Sequence, residues 1–275
     1  MDKQKKTIKL YSNMVEREWG RLQRDAFHKL EYNTTLEFLK KHLPKDGLVL
    51  DAGGGPGRYT IALAKLGYKV VLYDLVDANL KYAKIMIKEE KVEDKVQDVI
   101  QGKIEDLSNF LDNSFDAVIC LGGPLSHVYS EELRTKAVSE LARVAKKDAP
   151  IFISVMGKFG TLMNALTKFP DEITMKEHFE DLAYRGEDDC WMNGEGHSHF
   201  FTRDELEGLF YKNKIKIIEE VGLEGLASTG EDAASELAEA RPEVWQNWLD
   251  VHKELCTHPT IVDSSLHFML IGKKS

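Results

Sequence analysis

The stretch VLDAGGGPGRYT, residues 49–60, packs four glycines and a proline behind an aspartate that closes a short apolar run. Glycine loses more backbone entropy on folding than any other residue, so this density implies that backbone must approach something closely. The dinucleotide fingerprint GxGxxG is not met. Gly53, Gly55 and Gly57 spell GxGxG, and Arg58 stands where the third glycine would fall. Pro56 stiffens the turn. A carboxylate at Asp51 would repel a pyrophosphate but attract a cation or accept from an ammonium. The loop therefore suits a nucleoside that carries positive charge and no phosphate. A second acid, Asp74, ends the run KVVLYD, where a carboxylate can accept both hydroxyls of a ribose.

Other residues offer chemistry with a plainer reading beside it. His127, in GGPLSHV, follows the fourth expected strand and is the candidate general base, because imidazole titrates near neutrality; its rival role is a loop histidine packed under a lid. His197 and His199, in GHSHF, share strand parity, with Cys190 some way off. One pair and a distant thiol fall short of a zinc set, so no metal is expected. Trp191, Trp245 and Trp248 read as cap core rather than a substrate cage. Glu187, Asp188 and Asp189 read as a solvated loop.

The elements that position these residues follow from periodicity. Apolar residues at three- and four-residue spacings over 12–42, Trp19, Leu22, Phe27, Leu30, Leu36 and Leu39, predict one or two amphipathic helices. Short apolar strands are expected at 48–50, 69–74, 96–102, 115–121 and 150–156. Helices are expected between them at 59–66, 77–91 (Asp77 as N-cap) and 130–145 (Ser130 as N-cap). Strands that are apolar throughout and alternate with helices indicate a parallel sheet covered on both faces. Residues 157–196 read as irregular. FTRDELEGLF predicts a helix with a capping box of Thr202 and Glu205. Strands at 214–221 and near the C-terminus complete the sheet, and 222–260 reads as helical.

The domain reading is a helical segment at 1–43, a core at 44–156, a lid at 157–200, core helix and strands at 201–221 and 263–275, and a helical cap at 222–262. The chain has 275 residues and a net charge of −9, which disfavours non-specific binding to nucleic acid or anionic membrane. Three scattered cysteines suggest no disulfide framework and a reducing, cytoplasmic setting. No signal peptide or membrane span is expected.

Four motifs carry a family resemblance: LDAGGGPG (50–57), VVLYDL (70–75), GKIEDL (102–107) and SFDAVICLGG (114–123). In this order and spacing the sequence resembles class I S-adenosylmethionine-dependent methyltransferases, over roughly 48–156 and more weakly at the terminal strands. S-adenosylmethionine carries the sulfonium and ammonium that the loop suits. The resemblance implies an α/β fold, a Rossmann-like doubly wound sheet of seven strands whose last strand is antiparallel and inserted between strands five and six. It implies methyl transfer by in-line displacement, with S-adenosylhomocysteine as product. Gly53 and Gly55 would line the methionine and ribose portion, Asp51 would orient the loop or the amino group, and Asp74 would hold the ribose. Ile104 and Glu105 would lie near the adenine, and Leu121 under the sulfonium. Lys103 departs from the family's frequent acid and cannot accept from the adenine amino group.

The segments EREWGRL and HPTIVDSSLHFMLIGKK are also similar to a subgroup that includes carboxymethoxyuridine tRNA methyltransferases. That similarity implies an N-terminal arginine reaching the cofactor carboxylate: Arg21, with Arg17 and Arg24 as rivals. The expected acceptor is a small molecule enclosed by the lid, with tRNA as the alternative and a non-catalytic cofactor-binding regulator as the third reading. Lys3, Lys5, Lys6 and Lys9 read as a solvated tail with phosphate contacts as the rival. The expected assembly is a monomer or homodimer.

Overall fold

Three helices precede the sheet: α1 (Lys3–Ser12), α2 (Val15–Arg21) and α3 (Ala26–His42). The computed structural model describes residues 3–189 and 196–275; Cys190 and Trp191 lie outside them. The basic N-terminus is therefore not a solvated tail but helix α1. Thr7 and Leu10, three residues apart, are buried while Lys5 and Lys9 stay exposed. The lysines conceal a helical stripe of ordinary spacing.

Next come β1 (Leu48–Ala52), α4 (Arg58–Lys65), β2 (Lys69–Asp74), α5 (Asp77–Glu89), β3 (Val96–Gln101), β4 (Ala117–Cys120), α6 (Glu131–Val144) and β5 (Pro150–Met156). These five strands pair in parallel. After α7 (Lys158–Lys168), α8 (Pro170–Thr174) and α9 (Lys176–Arg185), a two-residue ladder joins β6 (Glu187–Asp188) to β7 (Ser198–His199). Then follow α10 (Arg203–Lys212), β8 (Ile215–Gly222), α11 (Glu231–Ala240), α12 (Pro242–Leu255), α13 (Pro259–Asp263) and β9 (His267–Lys274). The sheet order is β3-β2-β1-β4-β5-β9-β8, and β9 runs antiparallel to both neighbours. The seven-stranded Rossmann-like sheet with its last strand inserted is thus the observed architecture.

Successive side chains of each strand serve opposite faces. Leu50, Val118, Cys120, Ile151 and Ile153 pack with Ala137, Val138 and Leu141 of α6. Val49, Val70, Ile119 and Phe152 pack with Phe38 and Leu39 of α3 and with Leu63 of α4. A smaller cluster joins Phe27 and Leu30 to Ala234, with Trp245 and Trp248 packed against it. Trp245 and Trp248 stack on each other at 4.8 Å, and Trp248 stacks on His252 at 5.5 Å. Both tryptophans are partly buried against this cluster.

Three local readings change. Within the 157–196 stretch, the described residues 157–189 are largely helical rather than irregular; Met163, Leu166 and Tyr184 are exposed on those helices, which blurs the apolar stripe that a sequence pattern detects. Asp77 is the first residue of α5 and pairs with Lys81 at 2.6 Å, not the N-cap. Asp74 takes the capping work instead, accepting the Val76 N–H at 2.8 Å. Thr202 caps α10 by accepting from the Glu205 N–H at 3.3 Å, but the Glu205 carboxylate goes to His199 at 2.6 Å, so the box is half closed. Ser130 caps α6 as expected.

Gly160 lies where α7 crosses the turn before β9; a Cβ there would overlap the backbone of Ser265. At Gly208, inside α10, nothing lies within 4 Å of a built Cβ. Gly160→Ala should destabilise the protein by about 1–3 kcal/mol through overpacking, and Gly208→Ala should stabilise it by up to about 1 kcal/mol through helix propensity. Urea denaturation of both variants checks the pair: opposite shifts in midpoint are expected, and a neutral Gly160→Ala contradicts this packing.

Candidate active site

The loop after β1 hangs on the end of β2. The Gly53 N–H donates to the Tyr73 carbonyl at 2.6 Å, and the Gly55 N–H donates to Asp74 Oδ2 at 2.9 Å. Asn79 donates to Asp74 Oδ1 at 3.3 Å. Gly53, Gly55 and Gly57 all have positive φ, which glycine adopts without the steric cost of a Cβ. A Cβ at Gly53 would strike Pro124 at 2.5 Å, whereas a Cβ at Gly55 would meet only the Asn79 amide at 3.8 Å. Burial pushes the Asp74 carboxyl above its ordinary range, opposed by the N–H groups of Val76 and Gly55.

A cavity opens at the carboxyl ends of β1, β2 and β4. It is lined by Gly53, Gly55, Asp74, Ile104, Glu105 and Leu121. Lys103 lines it beside them. Arg21 and His127 close it from the helical side. Eight of the nine candidate residues thus meet at one cavity. Asp51 does not line it: fully buried, it sits beneath Gly54, whose Cβ would strike it at 2.5 Å, and accepts from Thr60 Oγ1 at 2.6 Å. Its Oδ1 is buried without a hydrogen-bond partner among the described residues, and burial pushes its carboxyl up to about 7. Its position fits holding the loop rather than touching a ligand.

A second cavity, about 830 Å³, adjoins the first and shares Tyr11, Glu18, Arg21, Gly122 and His127 with it. Its far wall comes from 157–200: Phe169, Glu172, Leu182, Asp188 and Phe200. Of the three candidate arginines, Arg21 alone lines both cavities; Arg17 and Arg24 line the second, and Arg24 is tied to Asp25 and Glu231. Glu31 of α3 grips Arg21 at 2.6 and 3.2 Å, and Glu18 lies 3.5 Å from its Nε. Burial opposes ionisation of Glu31, but Arg21, and then His267, hold its carboxyl below the usual range.

His127 contacts its neighbours through both ring nitrogens. Nδ1 lies 3.1 Å from the His197 carbonyl, which can only accept, so the proton belongs on Nδ1 and Nε2 accepts from Tyr11 Oη at 2.6 Å. Burial pulls the His127 imidazole down to about 4. Tyr11 was not visible as a site residue in the sequence, because the lysine-rich helix carrying it reads as a tail. Arg58 was not visible either: its guanidinium lies 3.6 Å from the Trp19 ring centroid and donates to the Trp19 carbonyl, pinning α2 over the loop.

The HxH pair joins carboxylates: His197 Nδ1 lies 2.7 Å from Asp189, and His199 bridges Glu187 at 2.9 Å and Glu205. Asp188 is buried and Glu187 also takes Arg134 at 3.2 Å, so these two acids are not a solvated loop, while Asp189 is exposed as expected.

Residues 49–148 match a family profile described as a methyltransferase domain. This segment belongs to the methyltransferase-domain family. The domain spans β1 to the turn before β5, which includes the glycine loop, Asp74 and His127. The chain is 30% identical over 119 residues to a glycine/sarcosine N-methyltransferase of Aphanothece halophytica, a match covering 42% of this chain and 44% of that protein. The chain thus spans under half the length of that curated relative. It is 27% identical over 184 residues to a ubiquinone biosynthesis O-methyltransferase of Xanthomonas axonopodis pv. citri, covering 64% of this chain and 72% of that one. A solved SAM-dependent methyltransferase from Methanosarcina mazei shares the fold with a TM-score of 0.59 at 21% identity, covering 86% of this chain and 96% of that one. Helices α1–α3 and the residues of 157–200 that line the second cavity lie outside the matched methyltransferase domain. No helix among the described residues is long and apolar enough to cross a membrane.

Asp51 gives the methyltransferase domain a pH signature. Its folded pKa, about 7, exceeds the ordinary carboxylate value of 3.8. The contribution to stability is therefore complete below about pH 4, falls as pH rises toward 7, and is flat above it. Asp51→Asn should lose that slope, so its stability relative to the parent should improve between pH 4 and 7. Denaturant midpoints of both proteins across this range check it; parallel curves contradict the buried, uncompensated carboxyl.

Proposed function

We propose that this chain is a methyltransferase that uses S-adenosylmethionine to methylate a small-molecule acceptor, leaving S-adenosylhomocysteine. The observation that carries the reading is the pair of adjoining cavities, one at the glycine loop and Asp74, the other under the lid, sharing Tyr11, Arg21 and His127. The first cavity has donors and acceptors of the right kind. Gly55, Val76 and Asn79 take three of the roughly four acceptor positions of Asp74, which leaves Oδ2 one for a ribose hydroxyl, and the open side of Gly55 leaves room for close approach. Ile104 offers an apolar wall for a purine beside Glu105, Leu121 would underlie the sulfonium, and Arg21 keeps N–H groups beyond its two bonds to Glu31 for a carboxylate. When bound, S-adenosylmethionine supplies a methyl group already activated by positive charge.

The chain's own task is then to orient the acceptor and exclude water. Neutral His127 fixes the Tyr11 hydroxyl at the junction of the cavities by accepting its proton in a hydrogen bond. In this reading His127 acts through Tyr11, and the phenol oxygen meets the acceptor. Small-molecule relatives, named for glycine/sarcosine and for ubiquinone biosynthesis, support the acceptor class. The helical segment 1–43, core 44–156, lid 157–200 and cap 222–262 serve as site closure, catalytic core and acceptor enclosure. We place the enzyme in the cytoplasm, as a monomer or homodimer.

The test is incubation of the pure protein with methyl-labelled S-adenosylmethionine and a fractionated cell extract. Label in small-molecule fractions is expected, and Tyr11→Phe should lower kcat by about 10- to 100-fold with little change in the KM for the methyl donor. Label in the tRNA fraction would overturn the acceptor class, and tight cofactor binding without label in any fraction would favour a regulator.

A further inference from the structure

Glu172 of α8, His178 of α9 and Asp188 of β6 present one ligand atom each within 4.8 Å of one another. Glu172 and Asp188 both line the second cavity. His178 Nε2 is fully buried, has no hydrogen-bond partner among the described residues, and faces both carboxylates, 3.7 Å from Asp188 Oδ1 and 3.9 Å from Glu172 Oε2. These distances are too long for hydrogen bonds. They are close to what a shared ion needs, since two ligands at right angles on an ion with bonds of about 2.1 Å lie about 3 Å apart.

We propose that Glu172, His178 and Asp188 bind a divalent transition-metal ion at the lid wall of the second cavity. One imidazole and two carboxylates are a donor set for Zn²⁺ or Mn²⁺. Three protein ligands leave coordination positions open toward the cavity, suited to an anionic oxygen of the molecule that occupies it. The ion would also neutralise two converging acids.

Two other clusters of the same residue types lack this feature. In Glu31–Glu224–His267, Arg21 occupies Glu31 bidentately and His267 bonds Glu224 at 2.6 Å. In Asp25–His28–Glu231, His28 Nδ1 bonds Asp25 at 2.7 Å and Arg24 occupies Glu231. Their lone pairs are spent within the protein, whereas the His178 Nε2 is not.

The binding does not rest on the methyl-transfer reading, and its test does not use activity. Metal-stripped full-length protein is titrated with Mn²⁺, the free ion followed by electron paramagnetic resonance, with Zn²⁺ as competitor. One Mn²⁺ per chain is expected, displaced by Zn²⁺, with affinity lowered about tenfold or more in His178→Ala and in Glu172→Gln. Glu172 is a third exposed, at 32%, so Glu172→Gln keeps the test free of folding effects, and Glu180→Gln on the neighbouring turn of α9 should bind as the parent does. No stoichiometric uptake, or uptake unchanged in both variants, overturns the site.

Discussion

The 2.9 Å hydrogen bond from the Gly55 N–H to Asp74 Oδ2 ties the loop after β1 to the end of β2, and the site is built outward from it. The same carboxylate accepts from Val76 and starts α5. It is buried, so its charge is costly, and backbone N–H groups from two elements offset that cost. The loop can follow this path because its glycines tolerate positive φ. Asp51 lies under it as a wedge that only a glycine at position 54 can cover without a clash.

Around this joint the N-terminal helices form a third side. Arg58 starts α4 and at the same time stacks on Trp19, so the residue that breaks the dinucleotide fingerprint is the one that fastens α2. Arg21 is fastened in turn by Glu31. A buried pair of this kind is costly to break, about 3–5 kcal/mol when one partner is removed, which holds the guanidinium between the two cavities. Tyr11 and His127 join α1 to the turn after β4 at the same junction. The first cavity is thus built on strand ends closed over by the N-terminal helices, and the second largely from helices far apart in the sequence.

This division decides what the sequence could reveal. Strand ends are local: the apolar run, the acid that closes it and the glycines behind it are neighbours, so Gly53, Gly55 and Asp74 were legible from residue order, whereas Ile104, Glu105 and Leu121 came through the family resemblance. The inserted β9 was legible through family resemblance alone, since strand order leaves no local mark. Tyr11 was hidden because lysines outweigh the buried Thr7 and Leu10 on its helix. Helices α7 to α9 were hidden because much of their apolar surface is exposed. Asp188 and His178 come together only when α8, α9 and β6 fold on one another, and no spacing announces that.

The central claim is that the cavity at Gly55 and Asp74 takes an S-adenosyl nucleoside. Calorimetric titration of S-adenosylhomocysteine into the parent protein and into Asp74→Ala, both checked for folding by circular dichroism, tests it most directly. The account predicts one site per chain in the parent and an affinity loss of about tenfold or more in Asp74→Ala, because a ribose would lose its charged acceptor. No binding to the parent, or equal binding to a folded Asp74→Ala, would contradict it.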